Sequence, residues 1–292
     1  MPTVRVNGID IWYERSGSAG PLFVLTHGFA GPNWPAIIDD FKAHFDLLLY
    51  HVRAHGDSRG ANDLADVTVP QFAADLAGLL DALGIAQAHI GGVSMGGMIS
   101  AQFACDFPGR MLSLSLCDTT AGNGAGPSEA ANEAERGVRT AFARMAHVVE
   151  KYGMEGLVER ENRYRRDGDA YAHLQATTYD QQDDRNSRSK LDEMTADGYL
   201  AANKALRERP DLTSRTPGIA VPTLVSCGEW DAFYPCAERD HGLIPQSRLV
   251  TIRGAAHATH DYQPQLWKRA IFDFIADVES GRDVRGERVL QP

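Results

Sequence analysis

The chain has 292 residues, 43% hydrophobic and 23% charged, with 29 Lys and Arg against 39 Asp and Glu for a formal charge of −10. That composition is globular rather than disordered, and its acidic balance excludes a dense basic face for nucleic acid or an anionic membrane. A chain of this length buries about 75% of its unfolded surface, whether as one large α/β domain or two smaller ones.

The opening MPTVRVNGIDIWYERSG lacks the apolar run of a signal peptide, and no uncharged apolar stretch approaches membrane-spanning length. The expectation is a soluble, cytoplasmic protein. Val4 to Val6 and Ile9 to Arg15 are β-branched runs separated by Asn7-Gly8, a pair that favours a tight antiparallel hairpin. Leu22 to Thr26 is apolar on both faces, as a central strand must be, and ends in His27-Gly28-Phe29-Ala30-Gly31. Trp34, Ile37, Ile38, Phe41 and Phe45 recur at helical spacing, and Leu47 to Val52 is the next strand. Phe72, Leu76, Leu79, Leu80 and Leu83 repeat the helical stripe up to a stop at Gly84. His89 to Val93 then reads as a strand, Ser94 to Phe107 as a helix ended by Pro108, and Met111 to Cys117 as a strand. Strands alternating with helices imply a parallel sheet with right-handed crossovers.

Composition changes between residues 119 and 217. Gly122, Gly124, Gly126 and Pro127 mark a loop, after which no strand pattern appears, so this stretch is expected to be an inserted helical cap. The alternation resumes with Thr223 to Cys227, Arg248 to Ile252 and a helix carrying Trp267, Ile271, Phe274 and Ile275. The expected division is thus a core of residues 1–118 and 218–278, a cap of 119–217 and a mobile tail of 279–292. The four cysteines form no CxxC pair, and Cys105, Cys117 and Cys227 read as small core residues.

The chemistry centres on Gly92-Val93-Ser94-Met95-Gly96 at a strand-to-helix junction. A tight turn there holds the Ser94 hydroxyl over the carboxyl edge of the sheet, where open parallel sheets bind ligands. Serine is a weak nucleophile at neutral pH and requires a histidine base with a carboxylate to orient it. Asp231 follows one late strand in Gly228-Glu229-Trp230-Asp231, and His257 follows another in Gly254-Ala255-Ala256-His257. Two competitors exist. Asp118 ends the strand before the cap, where it otherwise caps a loop, and His260 follows the last strand, where it otherwise stands in solvent. His51, His55, Asp57, His257 and His260 do not have the spacing of a helix-borne metal site. Gly122-Asn-Gly124-Ala-Gly126 fails the dinucleotide fingerprint at the next glycine, and no phosphate-binding Gly-Lys loop occurs. No metal and no cofactor are expected.

With His27-Gly28-Phe29, Gly92-Val93-Ser94-Met95-Gly96-Gly97, Gly228-Glu229-x-Asp231 and Gly254-x-x-His257 in this order, the chain resembles the α/β-hydrolase superfamily from about Val4 to Val278. The resemblance implies a mostly parallel eight-stranded sheet with helices on both faces and a helical cap after the sixth strand. It further implies a triad of Ser94, Asp231 and His257 and an oxyanion hole from the backbone N–H groups of Phe29 and Met95. His55-Gly56-Asp57-Ser58 resembles the family's structural Gly-His-Gly-x-Ser turn, with Ala54 where the family has glycine. Serine at position 94 argues against the dehalogenases and epoxide hydrolases of this fold, which carry aspartate there. Gly-Val-Ser-Met-Gly-Gly-Met and Leu116-Cys-Asp-Thr-Thr-Ala121 are similar to 3-oxoadipate enol-lactonase and related small-acid hydrolases.

The expected activity is cleavage of a small carboxylic ester or lactone through an acyl-enzyme on Ser94. The alternatives are a carbon–carbon bond hydrolase or haloperoxidase-type esterase of the same fold, and a ligand receptor with little turnover. Val138, Phe142, Met145 and Val149 share a helical face that either lines a pocket or packs the cap. Phe142, Met145 and Trp230 are the candidate substrate contacts. Arg160, Arg163, Arg165, Arg166, Arg185 and Arg188 form either a solvated face or a clamp for a substrate carboxylate. The expected partner is a small molecule, with no nucleic acid and no membrane, and the sequence is compatible with a homodimer.

Overall fold

The computed structural model describes residues 2–17, 20–29, 31, 34–58, 64–167 and 194–292. Among the described residues, nine strands form one sheet: β1 (Thr3–Val6), β2 (Ile9–Gly17), β3 (Leu22–Thr26), β4 (Asp46–Tyr50), β5 (Ala88–Val93), β6 (Met111–Cys117), β7 (Thr223–Gly228), β8 (Ser247–Ile252) and β9 (Gly286–Leu290). Their order is β1-β2-β4-β3-β5-β6-β7-β8-β9. Asn7 and Gly8 take positive φ of 44° and 84°, which reverses the chain between β1 and β2 with the twist a hairpin needs. β2 runs antiparallel to both its neighbours, and every pairing from β4 to β9 is parallel.

The ninth strand corrects two expectations, the eight-stranded count and the mobile tail of 279–292. After a turn at Gly281, the tail pairs with β8 from Arg248↔Gly286 to Ile252↔Leu290, and Val284 is buried at its entry. Asp277 draws the tail in by facing Arg248 at 2.8 Å, Arg282 at 2.8 Å and Arg288 at 3.6 Å.

Eight helices accompany the strands among the described residues: α1 (Ile38–His44), α2 (Val69–Ala82), α3 (Met95–Asp106), α4 (Glu129–Asp167), α5 (Ala196–Glu208), α6 (Tyr234–Leu243), α7 (Thr259–Tyr262) and α8 (Pro264–Glu279). The apolar stripes read in the sequence pack as expected. Phe72, Leu76, Leu79 and Leu80 of α2 join α3 and α6 on one face of the sheet, while Phe41 and the Trp267, Ile271, Phe274 and Ile275 stripe of α8 cover the other. Both faces are therefore buried, which is why the central strands read as continuous apolar runs.

Helices α4 and α5 lie between β6 and β7, as the helical insertion requires. Gly153, at φ 69°, breaks α4. The Gly122–Gly126 loop is fixed rather than free: Glu135 accepts from Gly124 N–H, Asp211 accepts from Asn123 N–H at 2.7 Å, and Asn132 accepts from Gly126 N–H at 2.8 Å. Beneath it Arg239 of α6 donates to Glu135 of α4 at 2.9 Å and to Asp240 at 2.8 Å, with all three side chains buried. No described helix is long and apolar enough to cross a membrane.

Candidate active site

The Gly92-x-Ser94-x-Gly96 turn joins β5 to α3, and Ser94 is held at φ 55°, ψ −115°, a strained conformation for a residue with a side chain. The turn is tight because its glycines touch backbone. A Cβ on Gly92 would meet Gly96 carbonyl carbon at 2.3 Å, and one on Gly96 would meet Thr26 O at 2.1 Å. The end of β6 braces the turn from the side: Ser94 N–H donates to Cys117 O at 2.9 Å, and Thr119 Oγ1 donates to Ser94 O at 2.6 Å.

Three stretches of chain meet at this edge of the sheet. His257 Nε2 lies 3.0 Å from Ser94 Oγ, and His257 Nδ1 lies 2.9 Å from Asp231 Oδ2. Asp231 Oδ1 accepts from Phe233 N–H at 3.0 Å, so both carboxylate oxygens are engaged. The loops that carry Asp231 and His257 are tied to each other, Glu229 N–H donating to Ile252 O and Trp230 N–H to Ala255 O, each at 3.1 Å. The sequence readings of Ser94, Asp231 and His257 thus converge in space.

Electrostatics favour a charged imidazole. Lost hydration alone would lower the His257 pKa, but the charge and hydrogen bond of Asp231, with a further contribution from Asp118, carry it up to about 9. Solvent reaches 45% of the ring, so the imidazolium is also partly hydrated. Burial works against the Asp231 carboxylate, yet the His257 charge and hydrogen bond, with the Phe233 N–H, hold it below its ordinary range.

Phe29 and Met95, the candidate oxyanion donors, flank the serine. Met95 is the first residue of α3, where helical N–H groups have no intrahelical acceptor. The Gly28 turn lies against the elbow, a Cβ there falling 3.5 Å from Val93 O and 3.8 Å from Ser94 Cβ. The Phe29 ring packs against Phe142 at 5.5 Å, Tyr199 at 4.8 Å and His55 at 6.0 Å between centroids. Phe142 therefore joins the cap to the oxyanion turn. Met145 is half-buried against the main core beside it, and Trp230 is 48% exposed next to Asp231. Among the described residues, the arginine-rich stretch retains only Arg160, which with Tyr152 and Glu159 lines a groove on the cap. The side chains of Arg163, Arg165, Arg166, Arg185 and Arg188 lie outside the described residues.

The competing residues have other places. His260 is not solvated as expected: its ring is buried between Trp34 at 5.1 Å and Trp267 at 5.8 Å, because the short α7 turns it into the core. His51 and His55 serve the turn after β4, His51 Nδ1 accepting from Asp57 N–H and His55 Nδ1 donating to Arg53 O, each at 2.9 Å. Ala54, where the resembling family has glycine, takes a φ of 68°. Among the described residues, Asp118, Cys227 and Asp231 are the one group of potential metal ligands close enough to share an ion. Both carboxylates of that group already accept hydrogen bonds. Thr119, Tyr199 and Phe233 are site neighbours that sequence reasoning did not single out, and Asp118 was weighed there only as a competing acid. Each is a single residue without a local pattern, and the Cys117-Asp118-Thr119 run at a strand end was the one available signal.

Residues 21–264 match the family model described as alpha/beta hydrolase fold. The chain belongs to the alpha/beta hydrolase fold family. It is 25% identical over 280 residues to 3-oxoadipate enol-lactonase 2 of Acinetobacter baylyi, covering 92% of this chain and 94% of that protein. It is 25% identical over 269 residues to a Bacillus subtilis protein provisionally named 2-succinyl-6-hydroxy-2,4-cyclohexadiene-1-carboxylate synthase, covering 91% and 94%. A malate-bound thermophilic esterase from Thermogutta terrifontis superposes with a TM-score of 0.73 at 29% identity, covering 94% of this chain and 97% of that one. Membership of this hydrolase family, with enol-lactonase and esterase likenesses, supports a hydrolase.

Proposed function

We propose that this hydrolase cleaves a small carboxylic ester or lactone through an acyl-enzyme on Ser94. The observation that carries the reading is the continuous hydrogen-bonded chain from Ser94 Oγ through His257 to Asp231, at 3.0 and 2.9 Å. In the reaction Ser94 Oγ attacks the acyl carbon while His257 Nε2 takes its proton. Asp231 keeps the other ring proton on Nδ1 and stabilises the imidazolium that forms. The carbonyl oxygen gains the negative charge and accepts hydrogen bonds from the backbone N–H groups of Phe29 and Met95, each worth about 10²–10³ in rate. Collapse expels the alkoxide, which takes the proton from His257. Water, deprotonated by the same imidazole, then splits the Ser94 ester to release the acid. A lactone keeps its leaving alcohol attached to the acyl group, so the first step releases no separate product.

The aromatic surroundings of the oxyanion turn, Phe29, Phe142 and Tyr199, favour an apolar portion of the substrate on that side. The test is turnover of p-nitrophenyl acetate and of a panel of neutral and acidic lactones by the wild type and by Ser94→Ala. The reading expects hydrolysis by the first and loss of at least about 10³-fold in the second. Undiminished turnover by Ser94→Ala contradicts it.

A further inference from the structure

Asp118, at the end of β6, has no part in the mechanism above, yet its carboxylate joins the two loops that the mechanism uses. Its Oδ2 accepts from Thr259 N–H at 2.7 Å and Thr259 Oγ1 at 2.8 Å, and its Oδ1 accepts from Gly228 N–H at 3.3 Å. Thr259 lies just after His257, and Gly228 lies just before Asp231. Asp118 is itself fixed, with a φ of 46° and its own N–H donating to Ser226 O at 2.9 Å. Its neighbours Cys117 and Thr119 hold the backbone of Ser94. Residues 117–119 thus touch all three segments of the proposed triad.

We propose that Asp118 is a positioning residue for this reaction: its buried carboxylate keeps the acid and base loops in register and places a second negative charge beside Asp231. The inference rests on the proposed roles of Ser94, Asp231 and His257. Loop capping alone does not require a carboxylate, since a neutral amide oxygen would accept the Thr259 bonds without setting another charge beside Asp231 in a buried place. The offset for that charge is the imidazolium, which the reaction generates. The titratable groups facing Asp118 are Asp231, Cys227, His257 and, on its own strand, Cys117. Burial first and Asp231 second push the Asp118 pKa up to about 7, against the pull of His257 and the Thr259 bonds. The coupling is reciprocal, because Asp118 in turn raises His257.

The test is the pH dependence of kcat/KM for p-nitrophenyl acetate in the wild type and Asp118→Asn. Removing the charge lets His257 lose its proton at lower pH, so the acidic limb is expected to move down by about one unit. Loosened loops are expected to lower the plateau kcat about tenfold with little change in KM. A folded Asp118→Asn with an unmoved limb overturns the proposal. If that variant does not fold, Thr259→Val decides: losing the hydroxyl donor loosens the tie between Asp118 and the base loop, so a plateau kcat lowered severalfold with KM little changed is expected, and an unchanged kcat overturns the proposal. Fluorophosphonate labelling of wild-type Ser94 runs in parallel. An unlabelled serine defeats the triad reading itself, whereas a labelled serine with an unmoved limb defeats only the role of Asp118.

Discussion

Ser94 occupies a backbone conformation that costs a residue with a side chain about 1–3 kcal/mol, and it is kept there by Gly92, Gly96 and the Thr119 hydroxyl. Ser94→Gly relieves the strain and adds back part of that as chain entropy, so thermal unfolding is expected to show a gain of about 1 kcal/mol with activity lost. A variant less stable than the wild type would deny the strain. Asp231 and His257 form the second residue-scale device. Because Asp231 outweighs the lost hydration and raises the imidazole pKa to about 9, the proposed base is protonated below that range and becomes competent as pH rises through it. The acidic limb of the kcat/KM profile is therefore expected above the ordinary imidazole value. Asp231→Asn should lower that limb and reduce kcat by about 10⁴. A wild-type limb below the ordinary imidazole value would contradict the charge assignment. These three residues were legible in the sequence because glycine marks each of their loops: Gly92 and Gly96 around the serine, Gly228 before the acid, Gly254 before the base. Asp118 was legible only as a competitor, because a lone aspartate at a strand end looks the same whether it caps a loop or ties two together.

Elements that bury both faces announce themselves, and those that bury neither do not. β3, β5 and β7 are apolar runs whose neighbours cover them on two sides, and each appears within a residue or two of its expected place. β9 reads Gly-Glu-Arg-Val-Leu with four of five residues exposed, so neither alternation nor an apolar run marked it. Its signal lay in Asp277 and the arginines around it, a pattern visible only once α8 has set their spacing. The cap was legible as helix through Val138, Phe142, Met145 and Val149, but its attachment was not. Part of that attachment is ionic: Glu135 of α4 meets Arg239 of α6 with no exposure on Glu135. Glu135→Ala leaves Arg239 with Asp240 and the Thr120 hydroxyl and removes the acceptor of Thr120 and Gly124, so a loss of about 3 kcal/mol is expected in urea unfolding. An unchanged midpoint would show that the cap is held by its apolar contacts.

At the scale of the molecule, two apolar clusters lie on opposite faces of one twisted sheet, and the proposed site sits where the parallel strands end. The C-terminal segment closes the sheet. Deleting residues 283–292 exposes the β8 edge, takes the buried Val284 out of its apolar cluster and removes the Arg288 contact to Asp277. The expected result is a Tm lower by about 5–10 °C with kcat little changed, since β9 lies far along the sheet from Ser94. An unshifted Tm would mean that the ninth strand adds nothing to stability. The site depends instead on β5, β7 and β8 keeping their parallel register, which holds Ser94, Asp231 and His257 together. The most direct measurement is the rate of covalent labelling by a fluorophosphonate, followed by intact mass and peptide mapping, in the wild type and His257→Ala. One adduct on Ser94, formed at least about 10³-fold more slowly in His257→Ala, is the predicted result. Labelling elsewhere, or a rate indifferent to residue 257, would contradict the proposal that His257 activates Ser94.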